Sequence, residues 1–291
     1  MKATSIPPLK EQLKGKDLVV APGIFDMISV KVADAVGFNA LYMTGYGITA
    51  SYLGLPDAGI TTYTDMVSRI QTTKSISATP LIADGDTGYG GLLNVQHTVR
   101  GYEAAGAAAI QLEDQEFPKK CGHMLGRRVI PLEDMVAKIR VAVESRASSE
   151  FLIIARTDAR TTHGLDEALR RADAFAEAGA DVLFVESPES IEEMRTIGAR
   201  FDTPLLANMV EGGRTPLVDK KTLEEVGYSL AIFPALGFLA AGEAMRNAFG
   251  QLKAQGSSDK VDVPLYPFKD FSALMGFDEV TAFDEKYRES A

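Results

Sequence analysis

The feature that most constrains the fold of this 291-residue chain is a short apolar segment that recurs eight times, each followed by a helical pattern. Near-continuous apolar segments of this length predict strands buried on both faces, as in a parallel sheet covered by helices. The segments are LVVAPG (18–23), ALYMTG (40–45), PLIADGD (80–86), AAIQLED (108–114), FLIIARTDA (151–159), ADVLFVES (180–187), PLLANMV (204–210) and SLAIFPAL (229–236). Eight such units predict an α/β fold of the (β/α)8 barrel type. An open doubly wound sheet is the alternative, but the G-x-G-x-x-G fingerprint is absent after the first strand.

The segments between the apolar runs have apolar residues at helical spacing, for example at 94–106, 133–146 and 165–179. Several of them end in glycine and a small residue before the next strand, as expected for a helix C-cap followed by an αβ loop. No linker divides the chain. Residues 1–291 are therefore predicted to form a single barrel domain, with residues 237–291 as a C-terminal helical extension.

The extension does not fit a bare barrel. It begins with a helical stretch at 237–255 and ends with a helix-like stretch at 270–289. Seven apolar residues of the last stretch have no obvious place on the barrel: Phe271, Leu274, Met275, Phe277, Val280, Phe283 and Tyr287. We expect them to pack against another subunit, and packing on the chain's own barrel is the alternative.

Composition limits the possible functions. The residues are 46% hydrophobic and 24% charged, which is typical of a globular protein with a sizeable core. No apolar run approaches the roughly 20 residues that span a membrane, and the N-terminus lacks the apolar core of a signal peptide. The net charge of −10 argues against nucleic-acid and anionic membrane partners. A single cysteine fits a reducing compartment, so we expect a cytoplasmic protein.

Polar residues lie at the carboxyl end of nearly every predicted strand. In a (β/α)8 barrel the loops at this end form the active site, so the ring predicts a functional site rather than a set of helix caps. Asp158 alone is equally well explained as a helix cap. The ring consists of Tyr42, Thr44, Asp84, Asp86, Glu113, Asp114, Arg156, Asp158, Glu186 and Asn208.

Three carboxylates of this ring predict a metal site. Asp84 and Asp86 are two residues apart on the third predicted strand, so their side chains should share a face, and Glu113 ends the fourth strand. Carboxylates brought together repel one another unless a cation neutralises them. Oxygen ligands without a second histidine favour Mg²⁺ or Mn²⁺ over zinc. An acidic turn on the surface is the alternative.

Arg156 ends the fifth strand inside an apolar run and must therefore be paired. Its planar guanidinium suits a substrate carboxylate or phosphate. An internal salt bridge with Glu113 or Glu186 is the alternative.

The only cysteine, Cys121, lies in the cationic segment FPKKCGHMLGRRV (117–129). Positive surroundings favour the reactive thiolate form of a cysteine. A zinc site with His123 is not expected, because the chain has no second cysteine and three histidines in all. A buried, inert thiol is the alternative. The nearby cations are Lys119, Lys120, Arg127 and Arg128.

With these residues the sequence resembles the isocitrate lyase and phosphoenolpyruvate mutase superfamily from about residue 15 to 255. The segments that carry the resemblance are TGYGITASYLGLPD (44–57), DGDTGYGG (84–91), QLEDQ (111–115), KKCGH (119–123), ARTDA (155–159), VES (185–187) and NMVEGG (208–213). The resemblance implies a (β/α)8 barrel whose eighth helix is swapped between paired subunits of a homotetramer.

The resemblance also implies Mg²⁺, or Mn²⁺ in its place, near Asp84, Asp86 and Glu113, with Asp57 close by. The segment KKCGH matches a gating loop that closes over a small anionic di- or tricarboxylate. The implied substrate-binding residues are Thr44, Gly45, Tyr46, Asp84, Arg156, Glu186 and Asn208, together with Gly122 and His123 of the gating loop.

Within the superfamily, the cysteine of KKCGH is similar to that of members that cleave carbon–carbon bonds. This implies a lyase that splits a substituted malate, such as 2,3-dimethylmalate or 2-methylisocitrate, into a 2-oxo acid and a carboxylic acid. Tyr46 and the NMVEGG segment favour a smaller substrate of the 2-alkylmalate type. Oxaloacetate hydrolysis and, less favoured, phosphonate P–C bond chemistry are the alternatives.

The implied mechanism gives each residue a role. Cys121 acts as general acid, with Lys119 and His123 adjusting its pKa. Arg156 and the cations of the closed loop stabilise the enolate. Either Tyr42 or Glu113 takes the hydroxyl proton, and the sequence does not distinguish them.

Overall fold

The computed structural model describes residues 6–122, 124 and 126–288, and it contains a nearly closed barrel of eight parallel strands. The strands are β1 (Val19–Ile24), β2 (Leu41–Met43), β3 (Leu81–Asp84), β4 (Ala109–Glu113), β5 (Leu152–Thr157), β6 (Val182–Val185), β7 (Leu206–Asn208) and β8 (Leu230–Phe233). Consecutive strands from β1 to β6 pair, β8 pairs with both β1 and β7, and a bridge between Leu183 and Leu205 joins the remaining edges. The predicted (β/α)8 barrel is confirmed.

Helices surround this sheet and alternate with its strands. They are α1 (Leu9–Gln12), α2 (Met27–Val36), α3 (Gly45–Ile48), α4 (Tyr63–Ile76), α5 (Leu92–Ala104), α6 (Leu132–Ser145), α7 (Arg160–His163), α8 (Leu165–Glu177), α9 (Ile191–Gly198), α10 (Lys220–Glu225), α11 (Leu236–Gln255), α12 (Phe268–Leu274) and α13 (Phe277–Tyr287), with a π-helix at Thr49–Leu53. Gly106 and Gly179 follow α5 and α8 with φ of +96° and +97°, as the predicted C-cap pattern requires.

Two buried layers explain why the strands are apolar. In β3, Leu81 and Ala83 face the surrounding helices, whereas Ile82 faces the barrel interior. Leu9 and Leu13 pack with the interior layer near the strand starts, so the N-terminal segment closes that end of the barrel. Polar side chains are therefore concentrated at the opposite, carboxyl end.

The extension differs from the barrel, because none of the described residues of α11, α12 and α13 is buried. The helix-like stretch predicted over 270–289 is divided between two helices, α12 and α13. Gly276 adopts a left-handed conformation with φ of +96° and separates α12 from α13. The packing of the extension on a partner stays a prediction. None of the helices that the structure describes is long and apolar enough to cross a membrane.

Candidate active site

The strand ends converge on a cavity of about 210 Å³ at the carboxyl end of the barrel. The predicted site residues that line it are Tyr42, Thr44, Tyr46, Asp57, Asp84, Glu113, Lys119, Cys121, Gly122, Arg156 and Asn208. Gly45, Asp86 and Glu186 lie next to these residues and contact them. His123 lies outside the described residues. Most of the predicted ring is therefore brought together at the cavity, whereas Asp114 is not part of the cavity lining and pairs with Arg171 at 3.0 Å.

The segment 117–129 is called the lid below, and of its described residues Lys119, Lys120, Cys121 and Gly122 line the cavity. Gln115 holds the start of this segment through two hydrogen bonds with the backbone of Lys120, of 2.8 and 3.0 Å. The hydroxyl of Ser187 donates to the carbonyl oxygen of Gly122 at 3.1 Å. A Cβ atom on Gly122 would lie 2.2 Å from Nη2 of Arg156, so only glycine permits this close approach. The lid is thus docked on the end of β5.

The ammonium group of Lys119 lies among the carboxylates of the site rather than beside the thiol of Cys121. Its ammonium pairs with Asp57 and, at 2.8 Å, with Asp86. Burial alone would lower the pKa of Lys119, but Asp86 and Asp57 raise it well above its usual value. Asp57 and Asp86 thus favour the charged form of the buried Lys119 side chain.

Asp86 does not lie on a strand, so the prediction that it shares a strand face with Asp84 is wrong. The strand β3 ends at Asp84, and Asp86 follows in the loop with φ of +46°. The chain turns back there, and the amide of Asp86 donates to Oδ1 of Asp84 at 3.1 Å. Burial raises the pKa of Asp86 to about 6, and Lys119 opposes that rise.

Among the described residues, no three His, Cys, Asp or Glu side chains are grouped closely enough to form a complete metal site. Glu113 is buried nevertheless, and its Oε1 has no hydrogen-bond partner among the described residues. Burial raises the pKa of Glu113 well above its usual value. Mg²⁺ usually binds through one or two carboxylates and keeps several waters, so the separated carboxylates here fit that ion better than zinc.

Arg156 is held by three buried carboxylates. It donates from Nε and Nη2 to Asp158 at 3.0 and 2.9 Å. It also forms ion pairs with Glu113 at 3.4 Å and with Glu186 at 3.3 Å, so the internal salt bridges considered as the alternative to substrate binding are present. Asp158 is not a helix cap, because Ala159 occupies the N-cap of α7. Its carboxylate instead pairs with Arg156 and Arg127.

Gln111 is a site residue that was not predicted. The phenol of Tyr42 donates to Oε1 of Gln111 at 2.9 Å, and Nε2 of Gln111 donates to Asp84 at 3.3 Å. Burial and then Asp84 raise the pKa of Tyr42 well above its usual value, so its phenol remains protonated. The sequence feature that could have indicated Gln111 is its position as the single amide side chain within the strand AIQLE.

The loop after β2 places small groups next to Asp84. Thr44 caps α3 by accepting from the amide of Gly47 at 3.4 Å. A Cβ atom on Gly45 would lie 2.7 Å from Oδ2 of Asp84, so glycine allows the backbone to approach that carboxylate. Tyr46 lies at the edge of the cavity, where its ring is 5.1 Å from that of Phe238.

The cavity has two chemically different sides. The first, called the charged wall below, consists of Asp57, Asp84, Glu113, Lys119 and Arg156. The second, called the apolar wall below, consists of Val210, Ile232, Pro234, Ala235, Phe238 and Leu239. The sequence indicated the segment 208–213 as a determinant of the substrate, but it did not place Phe238 and Leu239 of α11 in the site.

The lid cations do not form the unpaired positive cluster that their spacing suggested. Arg127 pairs with Asp158, and Arg128 pairs with Glu116 at 2.7 Å. Lys119 pairs with Asp57 and Asp86, as described above. Three of the four expected cations thus have carboxylate partners, because the barrel end is itself acidic.

The comparisons with known proteins agree with this fold. The family model for phosphoenolpyruvate phosphomutase matches residues 9–253. The chain is 48% identical to 2,3-dimethylmalate lyase of Eubacterium barkeri over 96% of both chains. It is 40% identical to 2-methylisocitrate lyase of Aeropyrum pernix over 97% of this chain and 91% of that protein.

Among solved structures, the chain is similar to oxaloacetate acetylhydrolase in complex with the inhibitor 3,3-difluorooxalacetate. The TM-score is 0.92 at 35% sequence identity, and the match covers 99% of this chain and 98% of that one.

Proposed function

The chain belongs to the phosphoenolpyruvate phosphomutase family, and we propose that it is a carbon–carbon lyase that cleaves a substituted malate such as 2,3-dimethylmalate or 2-methylisocitrate. The products are a 2-oxo acid and a carboxylic acid. The expected enzyme class is confirmed by the relatives, which are lyases. The observation that carries the substrate proposal is that Cys121 and Arg156 line the same cavity, opposite an apolar wall that suits alkyl groups.

Asp84 and Asp86 would hold Mg²⁺, or Mn²⁺ in its place, with Asp57 and Glu113 close by. The bound ion would polarise the 2-hydroxyl and its neighbouring carboxylate and favour loss of the hydroxyl proton. The unpartnered Oε1 of Glu113 supports this placement, because a buried carboxylate oxygen needs a cation or a proton donor.

Glu113 is the better candidate for the base of the two that the sequence left open. Burial raises the pKa of Glu113 well above that of an ordinary glutamate, which makes its carboxylate a stronger base. Tyr42 remains protonated and donates to Gln111, so it is not ready to accept a proton. In this mechanism Oε1 of Glu113 accepts the proton of the substrate 2-hydroxyl.

Loss of that proton allows the bond between C2 and C3 to break, and its electron pair remains on C3 as an enolate. Arg156 is permanently charged and stabilises this enolate. Cys121 then gives its thiol proton to C3 and completes the carboxylic acid product. Thr44, Gly45 and Asn208 bind and orient a substrate carboxylate, and the role implied for His123 by the resemblance is to adjust the pKa of Cys121.

Hydrolysis of oxaloacetate to oxalate and acetate is the second candidate function. The similarity to the oxaloacetate acetylhydrolase structure favours it. A phosphonate activity is less favoured, because the cysteine of the lid is typical of carbon–carbon cleavage.

The assembly proposed for the chain is a homotetramer of helix-swapped dimers in the cytoplasm. It is supported by the large exposed apolar side chains of the extension, including Phe249 at 64%, Phe268 at 87% and Phe283 at 62% exposure. Such a surface normally packs against protein. Light scattering of the purified chain tests the tetramer.

The substrate proposal is tested by incubating the protein and Mg²⁺ with 2- and 3-alkylmalates, 2-methylisocitrate, isocitrate and oxaloacetate and identifying the products. We expect 2-oxo acids from the alkylmalates and little oxalate from oxaloacetate. Oxalate as the main product would establish the second candidate, and no cleavage of any substituted malate would refute the first.

A further inference from the structure

Two adjacent arginines at the end of the lid have opposite environments. Arg127 is only 2% exposed, whereas the side chain of Arg128 is 78% exposed. Arg128 pairs with Glu116 at the surface. An arginine is buried only where carboxylates and hydrogen-bond acceptors satisfy it, so the partners of Arg127 indicate its function.

Arg127 joins the lid to the end of β5 and to α7. Its Nη1 donates to Asp158, and its Nη2 donates to the hydroxyl of Thr161 at 2.5 Å. Its Nε donates to the carbonyl oxygen of Met124 at 3.1 Å. One guanidinium thus binds a barrel carboxylate, a helix hydroxyl and the backbone of the lid, an arrangement that a lysine cannot reproduce.

The carboxylate of Asp158 is shared between two arginines. Its Oδ1 accepts from Arg127 and, at 2.9 Å, from Arg156. Arg156 also faces Glu113 and Glu186, so carboxylates outnumber cations around it. By taking part of the charge of Asp158, Arg127 leaves Arg156 better able to stabilise the negative charge of an enolate.

The same side chain also holds the turn that carries the thiol. The amide of Met124 donates to the carbonyl oxygen of Cys121 at 2.9 Å. The carbonyl oxygen of Met124 accepts a hydrogen bond from Nε of Arg127. Met124 therefore connects the guanidinium of Arg127 to the turn that contains Cys121.

We propose that Arg127 is a positioning residue that couples closure of the lid to the placement of both Arg156 and Cys121. This inference rests on the proposed function, in which those two residues stabilise and protonate the enolate. When the lid opens, Arg127 separates from Asp158. The guanidinium of Arg156 and the thiol of Cys121 then lose their relative positions at the same time. The chemistry is thereby restricted to the closed state, from which water is excluded.

The test compares Arg127→Met and Arg127→Lys with the neighbouring control Arg128→Met. We expect Arg127→Met to lower kcat about a hundredfold, the usual cost of a small misplacement of catalytic groups, with a much smaller change in KM. Arg127→Lys keeps the buried charge but not the three contacts, so kcat should fall about tenfold while Tm stays near that of the wild type. Arg128→Met should match the wild type.

Hydrogen–deuterium exchange of the lid gives a readout that requires no substrate. Exchange over residues 117–129 should be faster in both Arg127 variants than in Arg128→Met. The proposal is wrong if the Arg127 variants match the control in kcat and in lid exchange, or if Arg127→Lys restores wild-type kcat. If the wild type cleaves no substituted malate, the proposed function fails, and lid exchange still decides whether Arg127 holds the lid.

Discussion

The two walls of the cavity are built in different ways. The charged wall lies on strand ends and the lid, and its cations are fixed by buried ion pairs such as those of Lys119 and Arg156. The apolar wall comes from the ends of β7 and β8 and from α11, a helix none of whose described residues is buried. If the proposed function is correct, we expect the charged wall to determine the rate of the chemistry and the apolar wall to select the substrate.

Substitutions in the charged wall should therefore lower kcat strongly, because each buried charge there has several partners. Removing one member of a buried ion pair leaves the others uncompensated. Substitutions in the apolar wall should instead change the relative use of different substrates, because they alter shape and apolar contact without altering charge.

The largest effect is expected for Arg156→Gln. Removing a group that stabilises developing charge lowers kcat by about a thousandfold. The variant also leaves Asp158, Glu113 and Glu186 without their shared cation, so Tm should fall as well. Steady-state kinetics and thermal unfolding measure the two effects. Arg160→Gln, which removes an arginine paired with Glu193 outside the cavity, serves as the control.

The next largest effect is expected for Cys121→Ser. A serine hydroxyl is a much weaker acid than a thiol, so kcat should fall by about a hundredfold or more when the general acid is lost. Cys121 is only half-buried, so Tm should not change. Mg²⁺ and substrate binding, measured by calorimetry, should be retained. Cleavage by the variant at nearly the wild-type rate would show that Cys121 is not the acid.

Tyr42→Phe should have a smaller effect and distinguishes the two candidate bases. Because the pKa of Tyr42 is raised, its phenol is neutral from pH 6 to 9 in the wild type and contributes no ionisation there. We expect kcat to fall about tenfold through loss of the hydrogen bond to Gln111, with the pH profile unchanged in shape. Loss, in this variant, of a rise in kcat with increasing pH would instead identify Tyr42 as the base, because a base must be deprotonated to act.

The sequence predicted the charged wall in large part, because strand ends can be located from apolar periodicity. Arg156 and Glu113, for example, are the only charged side chains within β5 and β4, and both line the cavity. Their partners were less predictable. The contacts of Lys119 with Asp57 and of Arg127 with Asp158 join residues 62 and 31 positions apart in the sequence, and they depend on how the lid docks.

The apolar wall was largely missed for a related reason. Phe238 and Leu239 belong to a helical pattern that predicts only an amphipathic or buried helix. Their place in the cavity depends on the direction in which α11 leaves β8. Phe238 contacts Tyr46, and the sequence around these two residues does not predict that contact.

Tyr46→Ala should give the smallest change in rate and the clearest change in substrate preference. The ring of Tyr46 is 40% exposed and narrows the cavity against Phe238. Its removal should raise kcat/KM for 2-methylisocitrate relative to 2,3-dimethylmalate about tenfold, in the range expected for a change of pocket size. Competition between the two substrates measures this ratio directly. Tyr52→Ala removes a tyrosine that does not line the cavity and should leave the ratio unchanged. If Tyr46→Ala instead lost the same activity with both substrates, the ring of Tyr46 would belong with the catalytic groups. The loop after β2 would then not follow the separation of catalysis and substrate selection between the two walls.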